Sequence, residues 1–190
     1  MDNAWKLPEE IEITGVNYPI RTDYRAILDI LMAQTDTELT DQEKAQVMLE
    51  ILYLHPEQIS PENLEEACQK AVEFIDCGIK SDGKPKPRLM DWKQDAPVIV
   101  PAINKVIGTE VRAVKYLHWW SFMGAYLEIE ESLFSQILSV RQKKLKGKKL
   151  EKWEQEFYKA NKSLIDLKSK AAPKRSQEEK DAIRELLGLK

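Results

Sequence analysis

Residues 116–132, YLHWWSFMGAYLEIEES, set the tightest limit on what this chain can fold into. Positions 117 to 127 carry no charge, yet hold adjacent tryptophans, Trp119 and Trp120, and one of only two histidines, His118. The run of 11 residues is too short for a membrane helix, which needs about 20, so no membrane association is expected. On a helix, Trp119, Phe122, Met123 and Tyr126 share one side, while Leu117, Trp120, Gly124 and Leu127 cover much of the rest. A helix that is apolar all round is usually buried. The stretch therefore reads as the middle of a core, with Leu117, Phe122 and Leu127 as core residues and Gly124 as a point of close approach. The rival reading makes Trp119, Trp120 and Tyr126 the walls of an aromatic groove for a partner.

The rest of the chain supplies helices to surround it. Ile11 and Ile13 alternate with polar residues, and Gly15-Val16-Asn17 offers turn chemistry before Tyr18 to Arg21, which predicts a small N-terminal β-hairpin. A lone hairpin is marginal in water and should pack on helices. Asp23 is a plausible cap for a helix with Ile27, Ile30 and Leu31 in its stripe. Thr40 or Asp41 opens a second, which Pro56 stops; Ser60-Pro61 opens a third, which Gly78 ends. Asp91 caps a further helix in which Trp92, Ile99, Ile103 and Val106 recur, and Trp92, Ile99 and Ile103 join the expected core. Pro97 and Pro101 predict a break in it near Pro97. Val111 to Lys115 is extended or a turn; Leu133, Ile137 and Val140 mark another helix. Leu150, Trp153, Phe157 and Leu164 continue as an amphipathic basic one. Ser176 heads a short terminal helix with a capping box. The expected fold is mainly α, a helical bundle-like domain with a small hairpin. Its parts are the hairpin and helices over 1–77, an exposed linker or loop over 78–90, an aromatic-cored helical region over 91–170, and a terminal helix over 171–190.

Charge is unevenly spread. Residues 141–190 hold 16 Lys and Arg against 8 Asp and Glu, whereas the first 140 hold 13 against 24, for a net charge of −3. An acidic body with a basic extension suggests a partner-facing tail. The segment RQKKLKGKKLEKW, residues 141–153, has the look of a nucleic-acid contact. The helix after it alternates in sign, as a solvated face does, so an acidic protein surface or plain solubility competes with that reading. Lys143, Lys144, Lys148, Lys149 and Trp153 are its candidate binding residues.

No catalytic pattern accompanies these features. His118 has no nucleophile with a recognisable elbow nearby and reads as a satisfied core or edge histidine; His55 suits a helix C-terminus. Cys68 and Cys77 are nine positions apart on one helix, too far to bridge within it, and read as two buried reduced thiols. There is no phosphate loop, dinucleotide fingerprint or zinc spacing. No catalytic residue, metal or cofactor is expected. The N-terminal residues lack a basic segment followed by an apolar run, so no signal peptide is expected either.

Three segments carry a more specific likeness: MDWKQDAPVIVPAINKVIGTEVR, YLHWWSFMGAYLEI and KKLKGKKLEKWEQEFYKANKSLIDL. In order and spacing they resemble a gene product 15-like family of small tail-module proteins from phages and prophages of Gram-positive bacteria. The similarity spans about residues 7–167 and is strongest at Asp91-Trp92, at 117–120 and at 148–158. The resemblance implies a non-enzymatic tail morphogenesis role, because genes of the family typically lie between those for the tail tube and the tape-measure protein. The implied activity is that of a tail assembly chaperone in the host cytoplasm. Its partner would be the tape-measure protein, with the tail tube protein as a second candidate; self-association is a separate option for the chain. The alternatives are a minor tail component retained in the virion and a nucleic-acid-binding or regulatory module using 141–152.

Overall fold

The computed structural model describes residues 5–79 and 87–168. They form two compact units, one within the first 80 residues and one from 81 to 169, together mainly helical with one small hairpin. The terminal helix expected after Ser176 lies outside the described residues, as do most of the residues read as a linker.

In the first unit, β1 (Glu10–Ile13) and β2 (Val16–Pro19) pair antiparallel, with Ile11 opposite Tyr18 and Ile13 opposite Val16. The turn is Thr14-Gly15, not the Gly15-Val16-Asn17 expected from composition. Both turn residues have positive φ, 47° and 82°, the pair of left-handed conformations that a two-residue hairpin needs to match strand twist. A threonine is a poor choice there, and side chains from elsewhere hold it. Asn63 Nδ2 donates to Thr14 Oγ1 at 3.2 Å and the Thr14 N–H donates to Glu66 at 3.4 Å. Ile11, Ile13 and Tyr18 point into the core.

Three helices follow the hairpin, α1 (Tyr24–Gln34), α2 (Asp41–Leu52) and α3 (Leu64–Ile75); α1 packs on α2, α2 on α3, and α3 on β1. Asp23 caps α1 through the Arg25 N–H, and Thr40 caps α2 in a reciprocal box with Glu43. The end of α2 is finished by Arg21, whose guanidinium donates to the carbonyls of Glu50, Ile51 and Tyr53; those carbonyls have no partner within the helix. Pro61 starts a short 3-10 turn (Pro61–Asn63) that feeds α3. Helix α3 ends one residue earlier than its glycine suggests. Cys77 takes φ 55° and Gly78 φ 71°, with Gly78 N–H to Glu73 and Cys77 N–H to Phe74 closing the last turn. Tyr53, fully buried, donates its hydroxyl to Ala67 O at 2.9 Å and ties α2 to α3. The two cysteines are free and half-buried rather than buried; burial still pushes both thiols up, Cys77 to about 11.

The second unit begins with α4 (Trp92–Ile107), and here the expected break at Pro97 does not occur: one helix contains both prolines. The ladder bonds that Pro97 and Pro101 cannot donate are those to the carbonyls of Lys93 and Pro97. Residues 93, 97, 101 and 105 lie along one exposed edge of the helix, where water can satisfy those carbonyls. After a 3-10 turn (Val111–Ala113) come α5 (Trp119–Leu127), α6 (Leu133–Leu145), α7 (Lys152–Ala160) and the single turn α8 (Lys162–Ile165). The basic helix expected after Gly147 is thus two, separated at Asn161. Among the described residues no helix is long and apolar enough to cross a membrane.

Because the prolines of α4 face solvent, replacing either should restore a backbone donor without crowding the core. Pro97→Ala and Pro101→Ala are each expected to stabilise the second unit by about 1–3 kcal/mol. Urea unfolding followed by tryptophan emission checks this, since four of the five tryptophans (Trp92, Trp119, Trp120, Trp153) belong to that unit. A lower midpoint would mean that the helix needs its prolines for its packing.

Candidate interaction surfaces

The aromatic stretch is a core element with one wet side. Helix α5 packs mainly on α4 and buries Trp119, Phe122 and Ala125. Trp119 and Phe122 stack with centroids 5.6 Å apart. Trp92 meets Trp119, Phe122 and Tyr126 at 6.4, 6.2 and 5.1 Å, and Tyr126 reaches Phe134 of α6 at 5.9 Å. Edge and offset pairs like these are worth about 0.5–1.5 kcal/mol each beyond their buried area. His118 caps the helix: it is buried, and its Nδ1 accepts the Trp120 N–H at 3.0 Å, so its role is to start α5.

Several expected positions change. Leu127 is 63% exposed, not core. Helix α5 has only nine residues and is covered on one side, so apolar composition all round does not bring burial all round. Gly124 faces open space, and no neighbour approaches it. Trp92 and Leu117 are half-buried, while Ile99, Ile103 and Phe122 lie in the core. Trp119, a candidate groove residue, is 1% exposed and offers nothing to a partner as it stands. Trp120 and Tyr126 are half-buried, and the Tyr126 hydroxyl is engaged with Met90 Sδ at 3.0 Å.

The basic segment sorts itself by what its charges touch. Arg141 is buried, and all five of its N–H groups have acceptors. Nε donates to Ile165 O (2.6 Å), Nη1 to Leu89 O (3.0 Å) and Asp95 Oδ2 (2.7 Å), Nη2 to Asp95 Oδ1 (2.8 Å) and Leu164 O (2.7 Å). Asp95 also accepts the Asp91 N–H at 2.9 Å. Sequence reading placed Arg141 on a solvated basic face; the structure makes it the joint between α4, α6 and α8. Lys143 donates to Glu154 at 2.7 Å. Lys144 donates to Asp166 at 2.7 Å and lies 3.8 Å over the Tyr158 ring. What remains outward is the turn between α6 and α7. Gly147, with φ 63°, reverses the chain, and Lys146, Lys148, Lys149 and Lys152 are exposed and make no ion pair among the described residues. Beside them Leu145 and Trp153 are 53% and 56% exposed. The expected binding residues therefore split: Trp119, Trp120 and Tyr126 belong to the aromatic layer, Lys143 and Lys144 to internal pairs, and Lys148, Lys149 and Trp153 to an open amphipathic turn.

Among the described residues no group of three or more His, Cys, Asp or Glu could hold a metal ion. The perturbed carboxylates are structural. Arg112, bonded to Glu110, holds that carboxyl at about 2; Lys143 lowers Glu154, and Lys144 lowers Asp166. Each is depressed in the folded state, so the unfolded chain takes up protons first. The stability they add is present above about pH 4.5 and is lost as pH falls toward 2. A thermal-unfolding series should show the midpoint falling over that window. Glu110→Gln with Glu154→Gln should flatten the fall, and an unchanged slope would remove these carboxylates from the account.

No curated protein and no solved structure matches the chain. The family model described as bacteriophage Gp15 protein matches residues 4–167. With most of the chain covered by that match, the protein belongs to the bacteriophage Gp15 family.

Proposed function

We propose that this phage protein is a non-enzymatic tail morphogenesis factor, a chaperone that covers the tape-measure protein in the host cytoplasm before the tube polymerises. A tape-measure chain is long and largely helical, and its apolar stripes need cover until the tube closes around them. The observation that carries the reading is the open α6–α7 turn, where Trp153 and Leu145 sit among four exposed lysines that make no ion pair among the described residues. An amphipathic client helix with acidic flanks suits that surface, by apolar anchoring with charge steering at the rim. Cover of this kind is individually weak and repeated, so tube subunits can strip it off stepwise. The nucleic-acid reading loses support, because Arg141, Lys143 and Lys144 are spent on internal partners.

Co-expression with the tape-measure protein of the same phage, followed by size-exclusion chromatography and light scattering, tests the proposal. The expected result is a soluble complex with several copies per tape-measure chain, weakened at least about tenfold by Trp153→Ala. The chain eluting alone beside an insoluble tape measure would overturn it. Finding the protein in purified virions would favour the minor tail component instead.

A further inference from the structure

The described residues segregate charge by unit. Residues 5–79 hold 16 acidic and 5 basic side chains, net −11; residues 87–168 hold 10 acidic and 15 basic, net +5. Among the exposed apolar residues of each unit, one group lies beside a cluster of charge. On α3 the buried row is Ala67, Ala71 and Phe74. A second row, Leu64, Cys68, Val72 and Ile75, runs about 100° round the helix from it. Leu64 is 40% and Val72 47% exposed, and Ile79, just past the helix end, is 63% exposed. The outer border of that row is acidic: Glu65 and Asp76 flank it, Glu62 precedes it, and all three are exposed. The α6–α7 turn is its counterpart in sign and kind: Trp153 and Leu145 lie among Lys146, Lys148, Lys149 and Lys152, against one exposed acid in that stretch, Glu151.

We infer that a second copy of this chain is the partner of both groups: the basic α6–α7 turn of one copy docks on the acidic-edged α3 row of the next. The two surfaces differ, so the contact is head-to-tail, and a head-to-tail contact grows into an open chain or closes into a ring. Isolated exposed apolar residues are ordinary. Here two apolar groups on opposite-signed borders supply both anchors and steering, and like-to-like pairing would set acid against acid or base against base. The inference goes beyond the tape-measure reading and does not rest on it, since both faces belong to this chain.

The test uses the full-length chain. Light scattering should show mass rising with concentration at about 0.1 M salt and markedly less at about 1 M, where the screening length falls from about 10 Å to about 3 Å. Two variants then block one face each: Val72→Glu on α3, and Lys148→Glu with Lys149→Glu on the turn. All three positions are exposed, so both variants should keep the wild-type circular dichroism and unfolding midpoint; Leu64→Lys and Trp153→Ala are substitutes on the same faces should either not. Each variant alone is expected to be monomeric. Mixed, they should form a one-to-one dimer that grows no further, because each retains the face the other lacks. A wild-type monomer at all concentrations in low salt would overturn the inference. So would undiminished assembly in either single-face variant, or two monomers that ignore each other on mixing.

Discussion

The second unit depends on one buried ion pair. Taking a guanidinium and a carboxylate out of water is expensive, and the arrangement is tolerable only when both groups are fully hydrogen-bonded. Arg141 meets that condition with five donors and four acceptor groups: Asp95, Leu89 O, Leu164 O and Ile165 O. These contacts join three elements, and Gln94 of α4 adds two more ties, donating to Asp166 O and accepting from the Lys168 N–H. The carbonyls of Leu164 and Ile165 lie at the end of α8, a single turn too short to hold itself. Ile137, Val140 and Ile165 form the apolar cluster beneath them, with Phe157, Tyr158 and Leu164 packed at its edge. The pair specifies geometry, and the aliphatic and aromatic layers supply most of the burial.

From this joint the division between core and surface follows. With Arg141 turned inward, Lys143 and Lys144 are carried to Glu154 and Asp166, which pin α7 and the chain after α8. The lysines that follow then fall on the Gly147 reversal and make no ion pair among the described residues. One basic run thus performs three tasks: a buried joint, two half-exposed clamps and an open amphipathic turn. Only the last is free to meet another molecule, and the proposed client and self-association both use it.

Much of the fold was readable from local pattern. Alternation at Ile11 and Ile13 and the caps at Asp23, Thr40 and Asp91 are near-neighbour effects, and a single sequence records them. Long-range contacts decided the rest. Thr14 holds a left-handed turn because Asn63 and Glu66, some fifty residues on, steady it. The prolines of α4 leave the helix whole because their edge faces water, a matter of orientation that composition does not record. Leu127 is exposed because nothing covers the far side of α5. At the candidate surface, Lys148, Lys149 and Trp153 were visible as a basic aromatic run, but Arg141 was indistinguishable from its neighbours by spacing. One chemical signal was present: it is the single arginine among the lysines of 141–152, and arginine's planar fork is what a buried bidentate pair requires.

The measurement that tests this most directly is a double-mutant cycle on Asp95 and Arg141, read by urea unfolding with tryptophan emission. Asp95→Leu or Arg141→Met alone should cost about 3–5 kcal/mol, because each leaves a buried charge without its counter-ion. The double replacement should cost far less than the two together, with a coupling of about 2 kcal/mol or more. Single variants near wild-type stability, or strictly additive losses, would contradict the claim that this pair organises the second unit.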